Sequence, residues 1–144
     1  MLEKDKMRIM LDADASIKLT KTGLIEILAS GFEIAITEVV YDEHVISGLK
    51  RNYPDAIQME RLVSEGKIEV VPVKDKTSIY EGSYLGRGEI SIITYCMEND
   101  VEVIVSDDAV FLRIMKAMDK VPCIPVAGIL TMGINNGLID KIKG

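Results

Sequence analysis

Two hydrophobic periods alternate along the chain. Short continuous apolar runs mark strands covered on both faces, and apolar residues three and four apart mark helices with one buried side. The first strand-like run starts at Met7 and is closed by Asp12. A helical stretch from Thr22 to Ser30 follows, with Leu24, Ile27 and Leu28 on one stripe and Gly31 as a stop signal. Glu33 to Thr37 reads as a strand, and Thr37 is placed to N-cap a helix from Glu38 to about Leu49. Pro54 breaks that helix, and Asp55 opens another that reaches about Glu65. Lys67 to Val73 is rich in β-branched residues, and Pro72 points to a sheet edge or strand end. A polar stretch from Lys74 to Arg87 carries Gly82 and Gly86. Beyond it the pattern predicts a helix from Glu89 to about Asn99 and a strand from Val101 to Val105. A helix from Asp108 to Met118, a short strand from Pro122 to Val126 and a helix from about Gly128 to Asn135 complete the order.

Strands separated by helices predict one three-layer α/β/α domain over residues 1–144, built on a central, mainly parallel sheet. In open sheets of this kind ligands bind at the carboxyl ends of the strands. Asp12 and the pair Asp107–Asp108 both fall at such ends, on different strands.

Composition narrows the chemistry. A hydrophobic fraction of 48% excludes a disordered chain. Cys96 and Cys123 lie in unrelated segments without CxxC spacing, which argues against a disulfide framework or a Cys-rich zinc site and fits a reducing compartment. The lone histidine, His44, excludes a His-based zinc cluster within one chain. A net charge of −6 leaves no room for a broad basic nucleic-acid footprint, though a small basic rim remains compatible. The charged start, Met1 to Arg8, has no apolar core of a signal peptide, and no window approaches the ~20 apolar residues of a membrane span. The expectation is a soluble, cytoplasmic protein.

Several acids stand where solubility does not explain them. Asp12 ends an apolar strand, although a helix N-cap would use the same residue. Glu43 lies four residues after Val39 and three before Ile46, on the apolar stripe of its helix; an unpaired carboxylate there would be costly, and a half-buried salt bridge is the plain alternative. Glu89 heads a buried helical stripe, where the helix dipole alone also favours an acid. Of Asp107 and Asp108, one suffices to cap the following helix. Crowded carboxylates raise one another's pKa unless a cation neutralises them. Oxygen donors without histidine suit Mg²⁺ or Mn²⁺, which activate water and stabilise the leaving oxygen of a phosphodiester.

These segments resemble the PIN-domain ribonucleases, which include the VapC-type toxins. The stretch from Ile9 to Ile25 resembles the first motif, with its acid at Asp12, and Ile36 to Glu43 the second, with Thr37 six residues before Glu43. The third is matched by Leu85 to Glu89 and an apolar helix, the fourth by Val103 to Asp108 and a helix. The tail from Ile124 to Ile139 is similar to the closing segment of a prokaryotic subgroup. The resemblance implies a single-strand-specific, Mg²⁺- or Mn²⁺-dependent endoribonuclease, often a homodimer and often held by an antitoxin protein. Asp12, Glu43, Glu89 and Asp108, with Asp107 as the alternative fourth acid, would hold the metal. Asp14 stands where the family more often has a small residue, so it either assists the metal or hydrates the loop. Ser106 would support a ligand or a neighbouring acid.

Arg87 and Lys18 are placed to meet RNA phosphates, and Tyr41, Tyr80 and Tyr84 to stack on bases. Two other functions compete. Asp12, Asp14 and Ser16 match the DxDx[ST] form of haloacid-dehalogenase-like phosphatases, with Asp12 as nucleophile, Asp14 as acid/base, Thr37 on the phosphate and Lys74 as the required lysine. That function leaves Glu43 and Glu89 unused. The other is a non-catalytic module that binds RNA or protein.

Overall fold

A computed structural model describes residues 6–74 and 85–139. Tyr80, Tyr84 and most of the polar stretch after Lys74 lie outside the described residues. Five strands form one sheet in the order β3-β2-β1-β4-β5, with every pairing parallel. They are β1 (Arg8–Leu11), β2 (Glu33–Thr37), β3 (Glu69–Val71), β4 (Val103–Val105) and β5 (Cys123–Ile124). Register pairs Met10 with Ala35 on one side and with Ile104 on the other. Consecutive strand residues point to opposite faces, yet Ile9, Met10 and Leu11 are all buried, as are Ile34, Ala35 and Ile36. The sheet is therefore covered on both sides, as the α/β/α expectation requires.

The helices are α1 (Ala13–Lys21), α2 (Ile25–Gly31), α3 (Glu38–Tyr41), α4 (Ser47–Lys50), α5 (Pro54–Ser64), α6 (Arg87–Glu98), α7 (Ala109–Met118) and α8 (Val126–Asn135). Between α3 and α4 the chain continues without a break through a π-helical turn, Asp42–Ile46. Gly23, at φ 76°, separates α1 from α2, and it is α2 that corresponds to the helix the pattern predicts from Thr22 to Ser30. Gly31 closes the last turn of α2 instead of stopping the helix from outside. A Cβ there would collide with Leu138, so the residue serves close packing of the tail on α2. β3 lies at the sheet edge, as Pro72 foretells.

The chain winds outward from β1 to β2 and β3, then crosses to β4 and β5 on the other side. Winding thus reverses at β1, and the carboxyl ends of β1 and β4 flank the crevice where such sheets bind ligands. Among the described residues no helix is long and apolar enough to cross a membrane.

Candidate metal and phosphodiester site

The crevice holds a cleft of 180 Å³ lined by Asp12, Ala13, Asp14, Glu43, Gly86, Gly88 and Glu89. Its acids come from three separate stretches of chain. Asp12 directly follows β1 and N-caps α1, its Oδ1 accepting from the Ala15 amide at 2.8 Å. Ser106, fully buried after β4, hydrogen-bonds the same carboxylate and accepts from the Asp108 amide at 3.1 Å. The carboxyl ends of β1 and β4 are thereby tied together through one hydroxyl.

Glu89 stands in the first turn of α6 and its carboxylate accepts from the Gly86 amide at 3.0 Å, satisfying a free N–H at the helix start. The head of α6 is fastened to the end of β2. Ser91 Oγ donates to the Gly88 carbonyl at 2.5 Å and accepts from Thr37 Oγ1 at 2.7 Å, while Thr37 caps α3 by accepting from the Val40 amide at 3.1 Å. Thr37 is fully buried in these bonds, so it is no phosphate ligand. Lys74 follows the edge strand, two strands from Asp12, and lines a separate groove with Glu69 and Tyr95. The phosphatase arrangement therefore does not assemble.

Glu43 arrives by a route the helical period misjudges. A regular helix would bury Val39, Glu43 and Ile46 together, but the π turn shifts the stripe to Val40, His44, Val45 and Gly48. Ile46 and Glu43 are both exposed, so Glu43 does not point with the buried stripe, and its carboxyl end is laid over Gly88. A Cβ on Gly88 would overlap Glu43 Oε1, so glycine is what lets this carboxylate reach the head of α6.

Burial pushes the Asp12, Glu43 and Glu89 carboxyls above the usual carboxylate range, and the acids add to it by mutual repulsion. Asp14 acts on both Asp12 and Glu43, and Asp108 on Glu89. Arg87, exposed at the start of α6, partly offsets this at Glu43. Among the described residues no lysine or arginine forms an ion pair with Asp12, Glu43 or Glu89.

The two aspartates after β4 have different employments. Asp108 caps α7, accepting from the Phe111 amide at 2.9 Å. Asp107 pairs with Lys18 at 2.8 Å and accepts from the Val126 amide at 2.8 Å, and the lysine holds its carboxyl below the usual range. Lys18 is accordingly engaged with Asp107 at the rim of the cleft. Neither aspartate lines the cleft itself.

The donor set fits a hard divalent cation. It offers carboxylate oxygens alone, unneutralised, with a glycine cradle that brings one of them in. Among the described residues no three His, Cys, Asp or Glu groups stand close enough to enclose an ion by themselves. Cys96 and Cys123 are free thiols pushed up to about 12 by burial, as inert partly buried groups are.

Sequence patterns singled out the four acids but passed over three structural supports. These are the Gly88 cradle, the Thr37–Ser91 tie, and a buried row of Ser16, His44 and Asp55. Only the position of His44, next to Glu43, hinted at the last.

Comparison with known proteins agrees with this fold. The family model DUF3368, described as a PIN domain, matches residues 8–144. A crystal structure of VapBC2 from Rickettsia felis, bound to a DNA fragment from their promoter, superposes with a TM-score of 0.56 at 15% identity. The match covers 83% of this chain and 98% of that one, and at that identity the likeness is one of fold. No curated protein matches the sequence.

Proposed function

Since the chain belongs to the PIN-domain family, we propose that it is an endoribonuclease that cleaves single-stranded RNA with Mg²⁺ or Mn²⁺. One observation carries this reading: Asp12, Glu43 and Glu89, brought from three stretches of chain, line one cleft with no ion-pair partner among the described residues. Such a cluster on a chain of net charge −6 repels a phosphodiester unless a cation stands between them. A bound divalent ion would supply an activated water and a counter-charge for the leaving oxygen.

The protein's own groups do the positioning. Asp12, held from two sides by the Ala15 amide and Ser106, and Glu89, held by the Gly86 amide, present the oxygens that would hold the ion. Glu43, across Gly88, would join them as the carboxylates draw in around an ion. Asp108, fixed as the cap of α7, is assigned as the fourth acid in preference to Asp107, whose carboxylate is already neutralised by Lys18. Asp14 lines the mouth of the cleft and assists from there. Arg87, exposed beside Glu89, is the phosphate contact of this reading, and Lys18 joins it only on leaving Asp107. No separate general base is assigned.

A toxin role and an antitoxin partner are part of the same proposal, supported by the fold shared with VapBC2. A homodimer is proposed with them, and the mass in solution tests it.

The decisive assay is Mn²⁺- and Mg²⁺-dependent cleavage of a mixed single-stranded RNA pool, with folded Asp12→Asn protein beside it. Metal-dependent cleavage absent from the variant, with p-nitrophenyl phosphate untouched, is the expected result. No cleavage with either metal, or equal cleavage by both proteins, overturns it and leaves a binding module as the better account.

A further inference from the structure

Ser16, His44 and Asp55 form an unbroken hydrogen-bonded row inside the protein. His44 Nδ1 lies 2.7 Å from Ser16 Oγ, and Nε2 lies 3.0 Å from Asp55 Oδ2. A carboxylate only accepts, so the Nε2–H donates to Asp55; burial lowers the His44 pKa, and toward the neutral ring the Ser16 hydroxyl donates to Nδ1. The residue types are those of a serine hydrolase, but Ser16 is 0% exposed and no substrate reaches its oxygen. The row has another use.

It joins three elements. Ser16 lies on α1, His44 in the π turn, and Asp55 at the start of α5. Ser16 sits one turn along the helix that Asp12 caps, its amide bonded to the Asp12 carbonyl at 2.9 Å. His44 directly follows Glu43 in the widened turn that puts Glu43 on the flank facing Gly88. One end of the row is thus anchored beside Asp12 and its centre beside Glu43. π turns are rare interruptions of α-helices and are frequent at functional sites.

We propose that the Ser16–His44–Asp55 row is a positioning device that holds the π turn and so sets the spacing between the carboxylates of Asp12 and Glu43. It rests on the assignment of Glu43 as a metal-holding acid. His44 touches neither substrate nor metal in this role. It acts through Glu43, as groups behind metal ligands do.

The test is Mn²⁺ binding to the full chain by calorimetry, alongside RNA cleavage and thermal melting. His44→Leu removes both hydrogen bonds, and roughly 10–100-fold weaker Mn²⁺ binding is expected, with kcat lowered more than KM raised. His44→Gln, which keeps a donor toward Asp55, should recover part of that loss. Ser16→Ala deletes one oxygen and should weaken binding roughly 3–10-fold, which keeps the test open even where His44→Leu fails to fold. The deciding comparison is a double-mutant cycle with Glu43→Gln. If His44 and Ser16 act through Glu43, their substitutions cost little further Mn²⁺ affinity once Glu43 is replaced. Full additivity means a general structural role and overturns the proposal, as does unchanged affinity in Ser16→Ala and His44→Gln while Glu43→Gln binds weakly. Unchanged affinity in Glu43→Gln itself sinks the ligand assignment, and the proposal with it.

Discussion

The two ends of the sheet treat their acids in opposite ways. At the amino end Arg8, the first residue of the central strand, pairs with Glu33 of β2 and Glu69 of the edge strand β3, and its amide donates to Glu102 at 3.2 Å. The guanidinium also donates to the Tyr95 hydroxyl at 3.0 Å and lies 6.0 Å from the centre of that ring. At the carboxyl end, Asp12, Glu43 and Glu89 gather without such a partner among the described residues. One end supplies its own counter-charge, while the other keeps carboxylates ionisable at a cost in folded-state energy. Carboxylates left without a counter-charge in a crevice are what the proposed metal site requires.

The largest expected effect separates the two ends by activity. Asp12→Asn or Glu89→Gln should lower RNA cleavage by roughly 10²–10⁴-fold, since a lost ion-holding oxygen withdraws several kcal/mol of transition-state stabilisation. Arg8→Met should leave the cleavage rate as it is. A cleavage rate that falls equally in both would erase the distinction.

Binding of the ion sharpens the contrast through stability. Mn²⁺ at about 100 times its dissociation constant should stabilise the native protein by about 2.7 kcal/mol, read as a rise in melting temperature. Asp12→Asn should lose most of that gain, and Arg8→Met should keep it. Arg8→Met should instead lower stability by about 1–2 kcal/mol with or without metal, because Glu33 and Glu69 are about half exposed and water repays part of the lost pairing. Denaturant titration checks it.

The smallest effect is a matter of sign. Asp12 has a folded-state pKa above its unfolded one, so its ionisation opposes folding of the metal-free protein. Asparagine caps a helix as well as aspartate does, so Asp12→Asn should be the more stable protein at neutral pH. That advantage should shrink as pH falls through the raised pKa of Asp12. His44 runs the other way: burial lowers its pKa, so its contribution falls as the unfolded chain takes up its proton. Comparing the two proteins at each pH cancels that term. A variant advantage that grows on acidification would show that Asp12 is not held under charge strain.

Strand and helix order, the parallel sheet and the sheet-end acids were legible before any coordinate, because each rests on neighbours along the chain. An apolar run that ends in an acid must place that acid at a strand end, as Leu11–Asp12 and Val105–Ser106–Asp107–Asp108 do. Glu43 shows where local period fails. Its side was inferred from a 3.6-residue repeat, and the π turn moved the buried face onto His44 and Val45. Nothing in the spacing of apolar residues announces an extra residue in a turn, because it is held by Ser16 and Asp55 from other helices.

The sequence alone therefore determined the architecture, the acidic balance and which acids stand out, since hydrophobic period and covalent adjacency are properties of the string. Tertiary structure decided how those acids are used. It gave Asp107 to Lys18 and Asp108 to the head of α7, and it laid Glu43 over Gly88. The reason is that hydrogen-bond partners and close backbone approach join residues 28, 54 or 89 positions apart, as Ser16–His44, Thr37–Ser91 and Lys18–Asp107 are. Only packing brings such groups within reach, and only then does a carboxylate acquire a partner or go without one.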